Sequence, residues 1–228
     1  HTDAAQSCGK IETRVNNLGV DFLSIAGHKL YAPQGIGALY IKNGVKLAPL
    51  ITGGGQEFGL RSGTENIPLI RGLEEAVRML EGAKRDTPGH EAAKNTLRNS
   101  GSNRETAGER IHELSAYMYK KLKKALSKIA LNGPTIEKPT LVRLPNILNI
   151  HIPGALAADV VMRADLAGLA ISAGSACASR AQTSSRVIQA LGYSKNRARE
   201  SVRISLGRMT VKADVDAAVS IMRASLLA

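Results

Sequence analysis

The chain has 228 residues, carries 31 Lys and Arg against 19 Asp and Glu for a net charge of +12, and is 43% hydrophobic but only 3% aromatic. That length suits one large domain or two small ones with a real core, and the apolar content argues against disorder. With no Trp and two Phe the core must be aliphatic, and a base-stacking nucleic-acid surface, which needs rings as platforms, is disfavoured. No apolar run approaches the roughly 20 residues of a membrane span, and no signal peptide opens the chain. The expectation is a soluble, cytoplasmic protein with neither nucleic-acid nor membrane partner. The chain starts at His1 rather than Met, which suggests an internal point of a longer product, a processed end or a truncation.

Taken in order, residues 20–25 and 36–41 are short apolar runs bounded by Gly and Pro, the pattern of buried strands. Between them lies a polar turn, Gly27-His28-Lys29-Leu30-Tyr31-Ala32-Pro33, and such loops commonly carry function. Pro68 opens a helix with Leu69, Leu73, Val77 and Leu80 at one-turn spacing. From Asp86 to Gly108 the periodicity disappears, predicting an exposed linker or insertion. Ile111, Leu114, Met118, Leu122, Ala125 and Ile129 predict a second helix that ends near Asn132-Gly133-Pro134. A strand over Asn146–Ile152, a helix over about Leu156–Leu166 and a short strand over Leu169–Ser172 follow. Next come a helix closed by Gly192, an alternating strand with Val202, Ile204 and Leu206 on one face, and a last helix with Val215, Val219, Met222 and Leu226 in register. Strands alternating with helices define an α/β class.

The whole charge excess sits in two windows: residues 78–128, with 12 basic against 6 acidic residues, and 180–208, with 7 against 1. The lysines of the first repeat at helical spacing, as on a solvated face. The arginines of the second surround Cys177 and suit an anion or an acidic partner. Cys8 and Cys177 are the two cysteines; they have no zinc-ligand spacing, which leaves a reducing compartment as the simpler setting and one disulfide as the alternative.

Lys29, beside His28 in a Gly-bounded turn, can be a Schiff-base lysine if solvent access is restricted. Asp3 and Gln6 end an apparent strand, Gly53-Gly54-Gly55 permits close backbone approach, and Arg61-Ser62-Gly63-Thr64 offers a guanidinium and hydroxyls to a phosphate. A lysine, a carboxylate for a pyridinium nitrogen and a phosphate contact are the parts that a pyridoxal phosphate enzyme needs.

His1-Thr2-Asp3-Ala4-Ala5-Gln6, Ala26-Gly27-His28-Lys29, Gly53-Gly54-Gly55-Gln56-Glu57, Arg61-Ser62-Gly63-Thr64, Gly174-Ser175-Ala176-Cys177-Ala178-Ser179 and Ser205-Leu206-Gly207-Arg208 stand in the order found in cysteine desulfurases. The chain resembles the branch that serves iron–sulfur cluster assembly and nitrogenase maturation, and corresponds to the carboxyl-terminal half or so of such an enzyme. The resemblance implies an aminotransferase-like fold of type I, with residues 1–70 completing the large cofactor domain, 71–108 a connecting helix and linker, and 109–228 the small domain. It implies pyridoxal 5'-phosphate held by Asp3, Gln6, His28, Lys29 and, across a dimer interface, Thr64. Lys29, His28 and Cys177 form the implied catalytic set, and Arg208 is the expected partner of the substrate carboxylate. Cys177, on a loop of small residues, would take sulfur from L-cysteine as a persulfide, release L-alanine and pass the sulfur to an acceptor scaffold protein. No intrinsic metal site is implied beyond a transient iron–sulfur contact through that persulfide, and Cys8 is expected to be structural. Ala26 stands where many relatives have a phosphate-binding serine, and Phe58 where an arginine is common. Selenocysteine lyase is the alternative within the enzyme class; a non-catalytic sulfur-carrying or binding module is the alternative outside it. A chain of this extent is expected to leave Phe22, Leu23 and Ile25 facing solvent or a partner.

Overall fold

The computed structural model describes residues 1–80, 107–136, 143–174 and 185–227. The predicted linker at 86–108, apart from its last two residues, and the Cys177 loop lie outside them. The chain divides into two compact units, His1–Arg104 and Glu105–Ala228.

The first unit is built on a three-stranded sheet in the order β1 (Thr2–Asp3), β2 (Phe22–Ala26), β3 (Gly37–Ile41). β1 runs parallel to β2, with Asp3 opposite Ser24, and β2 runs antiparallel to β3, with Ala26 opposite Gly37. The connection from β1 to β2 contains the short helix α1 (Val15–Leu18). Helix α2 (Ile67–Leu80) begins where the Asn66 side-chain oxygen accepts the Leu69 N–H at 3.2 Å, a cap that satisfies one orphan donor of the first turn. α2 presses on the β2–β3 turn. A Cβ on Gly72 would lie 2.7 Å from Pro33, so only glycine permits that approach. Leu30, Ala32 and Ala76 are the buried centre, with Leu73, Leu80, Ile25, Ile36 and Cys8 packed on it. Leu23 is buried and Phe22 and Ile25 half-buried, contrary to the expected exposure; β2 is the central strand and is covered by its neighbours. The most exposed large apolar residues of this unit are in the loop after β3, where Leu50 and Phe58 are fully exposed.

The second unit packs three helices, α3 (Ala107–Ala125), α4 (Ala157–Leu166) and α7 (Lys212–Leu227), on one face of an antiparallel sheet ordered β4 (Ala130–Leu131), β5 (Ile147–His151), β6 (Ser201–Ser205). Alternation along β5 and β6 sends Leu148, Ile150, Val202 and Ile204 into the core, where Met118 and Met222 meet them. Ile147, Asn149 and His151 point the other way. On that side Asn132 donates to the Asn149 side chain at 2.6 Å and the Ser201 hydroxyl at 2.8 Å. It accepts from Arg197 Nε at 2.6 Å, which ties α6 (Lys195–Arg199) to the sheet. The remaining short helix, α5 (Arg186–Ala190), is followed by Gly192 in the left-handed region, φ 87°, where the helix was expected to close.

Two expectations need correction. The second helix stops at Ala125, and residues 130–131 form β4. Lys123 turns back onto the carbonyls of Ser127 and Ile129, which satisfies acceptors beyond the helix end; Ile129 is buried through the turn, so its phase imitates a helix. Leu169–Ser172 is not a strand, because its ladder is a single bridge between Ser172 and Arg203.

Candidate functional site

Parallel strands open their carboxyl ends onto one edge, the usual place for a ligand in α/β sheets. β1 and β2 bring Asp3 and the Gly27–Leu30 turn to that edge. Asp3 is exposed, and one of its carboxylate oxygens accepts the Ala5 N–H at 2.9 Å, which fixes the side chain. The turn is a 3-10 helix directly after β2. Gly27 is required at its start, since a Cβ there would meet the Ile36 carbonyl oxygen at 2.8 Å. Ala32 N–H and Gly27 N–H bond to Gly27 O at 3.0 Å and Ile36 O at 2.9 Å. Leu30 is sunk in the core while His28 and Lys29 are exposed. One buried side chain thus anchors two outward-facing polar ones, and Tyr31 follows in the left-handed region with φ 68°.

Gln6 belongs to the turn that leaves β1. Its carbonyl accepts Lys10 Nζ at 2.9 Å. Lys10 has its pKa lowered, chiefly by burial, with Cys8 acting in the opposite sense and the charge of Lys29 adding to the lowering. Gln6, Lys10 and Lys29 therefore form one electrostatic neighbourhood, in which Lys10 was not anticipated. Its sequence signal is only its place four residues after Gln6, and its bond is to backbone. Cys8 is a free thiol at the edge of the core.

The glycine run and the Arg61–Thr64 motif form one loop. Ser62, buried, accepts Gly55 N–H at 3.3 Å and donates its own N–H to Ile51 O at 3.1 Å, and the Gln56 side chain accepts Gly63 N–H at 3.0 Å. Thr64 and Arg61 are exposed on it. Phe58 lies in the same loop with φ 59°.

In the second unit Arg208 follows β6 in a tight turn: Thr210 N–H bonds to Gly207 O at 3.1 Å, and the Thr210 hydroxyl accepts Gly207 N–H at 2.9 Å. Cys177 lies outside the described residues. Gly174 and Ser185, the described residues on either side of it, are close together, since a Cβ on Gly174 would sit 4.0 Å from that of Ser185. The structure thus gathers Asp3, Gln6, His28 and Lys29 in one unit and describes Arg208 in the other. Among the described residues no cluster of three His, Cys, Asp or Glu could hold a metal, and no helix is long and apolar enough to cross a membrane.

Residues 1–218 match the model of one family: the chain belongs to the class-V aminotransferases. Within that family its homology is to cysteine desulfurases. It is 36% identical over 224 residues to the cysteine desulfurase IscS of Dictyoglomus turgidum, covering 97% of this chain and 50% of that protein. It is 37% identical over 229 residues to the IscS of Ehrlichia chaffeensis, covering 99% and 49%. Among solved structures it is similar to a NifS-like protein from Rickettsia africae, with a TM-score of 0.76 and 27% identity over 99% of this chain and 53% of that one. It is also similar to SspA in complex with cysteine, with a TM-score of 0.60 and 31% identity over 92% and 51%. The chain spans about half the length of the curated relatives it matches. The fold is the type I fold of pyridoxal phosphate enzymes, and the family uses that cofactor.

The donor set fits it. An exposed primary amine, a fixed carboxylate and an amide side chain share one sheet edge, which is the chemistry that an aldehyde, a pyridinium nitrogen and a phenolic oxygen require.

Proposed function

We propose that the chain is the carboxyl-terminal portion of a cysteine desulfurase that converts L-cysteine to L-alanine and passes the sulfur to an acceptor protein for iron–sulfur cluster assembly. The observation that carries this reading is the pairing of Asp3 and the Lys29 turn on adjacent parallel strands, within a chain homologous along its length to such enzymes.

Pyridoxal phosphate, when bound, supplies an electron sink that makes the substrate's bonds to hydrogen and sulfur labile. Lys29 would hold the cofactor and would move a proton at the substrate α-carbon. Asp3, held by Ala5 N–H, would keep a proton on the ring nitrogen. Gln6 would donate to the phenolic oxygen, and His28 and Thr64 would contribute to the phosphate contact. Ala26 gives no hydroxyl there, and leaving one acceptor unpaired would cost about 1–3 kcal/mol. Arg208 orients the substrate by its carboxylate, a task for which a planar two-donor fork is suited. The Cys177 thiolate attacks the substrate sulfur, the carbon–sulfur bond breaks, and its electron pair leaves with the carbon fragment, which takes up a proton and becomes alanine. The sulfur stays on Cys177 as a persulfide, which transfers it to an acceptor thiol. A homodimer would supply Thr64 from the second copy.

The test is the complete gene product, loaded with pyridoxal phosphate and given L-cysteine. Alanine release with sulfur recovered on Cys177 is expected. Cys177→Ala should keep the visible band of the bound cofactor yet lose persulfide and nearly all alanine release. Labelled sulfur appearing on Cys8 overturns the assignment, and selenocysteine turnover surviving the change redirects it to a lyase.

A further inference from the structure

Arg110 stands in the first turn of α3, half-buried, and is bonded to backbone. Its two terminal nitrogens donate to two carbonyls, Nη1 to Thr210 O at 3.0 Å and Nη2 to Arg208 O. These acceptors are 100 and 98 residues along the chain and lie just ahead of α7, where no helical ladder could engage them. A guanidinium has donors fixed in a planar fork that can span two carbonyls with little further ordering, whereas an ammonium offers rotatable donors from a single atom on a flexible stem.

The same turn is fastened from within by the Thr210–Gly207 bonds and, at its far end, by Asp214, which accepts Val211 N–H at 2.9 Å. Its main chain at Arg208 is thus held on α3 while the Arg208 side chain remains only half-buried. A carboxylate-binding arginine on a loose turn has to be ordered at the moment of binding, which weakens association; one on a fastened turn has that ordering already made.

We infer that Arg110 is a positioning residue, which clamps the Arg208 main chain so that the arginine that takes the substrate carboxylate is carried on an already ordered turn. The inference rests on the role given to Arg208 above. Arg110 touches no substrate; it acts through the two carbonyls.

Arg110→Ala, Arg110→Gln and Arg110→Lys in the complete, cofactor-loaded gene product test it. The alanine and glutamine variants should raise KM for L-cysteine tenfold or more with kcat within about threefold, and the lysine variant should fall between them and wild type. In an Arg208→Lys background the Arg110 changes should add little, because the group being positioned is already compromised. Independently of turnover, amide hydrogen exchange at Gly207 and Thr210 should quicken at least tenfold in Arg110→Gln while the Leu148 and Ile150 amides stay protected. An unchanged KM, a fall in kcat at unchanged KM, or unchanged exchange at Gly207 and Thr210 overturns the inference. Should the alanine variant fail to fold, the glutamine and lysine variants decide. A wild-type protein that binds the cofactor but turns over no cysteine overturns the Arg208 reading instead, and the exchange measurement then decides the clamp alone.

Discussion

Lys29 is exposed on a turn whose geometry comes from its neighbours, Gly27 and Leu30, so replacing it should remove chemistry and leave the fold intact. Lys29→Ala is expected to abolish turnover, and borohydride trapping should place the phosphopyridoxyl label on Lys29 in the wild type and nowhere in the variant. The neighbour that could compete is Lys10, engaged by the Gln6 carbonyl; label mapped to Lys10 would refute the assignment. A second residue-scale expectation concerns Glu200, whose carboxyl titrates below its usual range mainly because His151 bonds to it at 2.9 Å. A depressed folded-state pKa contributes stability that is present above the unfolded value of about 4.3 and is lost as pH falls through the folded one. Wild type should therefore lose stability relative to Glu200→Gln as pH drops below about 5, read from urea midpoints at pH 7 and pH 4; equal shifts at both would show that the pair contributes nothing.

At the scale of elements, Asn132 joins β4, β5, β6 and α6 through one side chain. Asn132→Ala strands Arg197 Nε and two acceptors, and should cost about 1–3 kcal/mol, seen as a lowered urea midpoint for the second unit; a shift below measurement error would mean that water replaces the amide fully. Helix α7 was legible because Val215, Val219 and Met222 recur on one stripe and all are buried. β6 was legible for the same reason at period two. β4 was not, because two residues are too few for a period and Ile129 falls in phase with the helix before it. The residues proposed for the cofactor stand out in the sequence as motifs, since the chemistry proposed for Asp3, Gln6 and His28-Lys29 depends on those residue types. Lys10 and Arg110 were invisible because each bonds to main-chain carbonyls, which any sequence possesses.

For the whole molecule the two units carry different surfaces. The loop after β3 places Leu50 and Phe58 fully in solvent, in a unit whose own core is small. Exposed aliphatic and aromatic groups of that kind drive association, so the 228-residue chain alone should self-associate as its concentration rises. Leu50→Ser with Phe58→Ser should shift sedimentation toward the monomer; an unchanged distribution would place the contact elsewhere.

The strand pairings also set a timetable for synthesis. β1, β2 and β3 all lie between Thr2 and Ile41, so their pairings are local and can form as soon as that segment has left the ribosome. The second sheet waits: β5 is central, yet β6 begins about 50 residues after β5 ends and the carbonyls that Arg110 engages come later still. A ribosome paused before Ser201 would display β5 with one edge bare and with the apolar row of Leu148 and Ile150 only partly covered. That is the species most prone to pair with a stranger's strand. Codon-level slowing there, or truncation ahead of β6, should show up as aggregation during expression rather than as a less active enzyme.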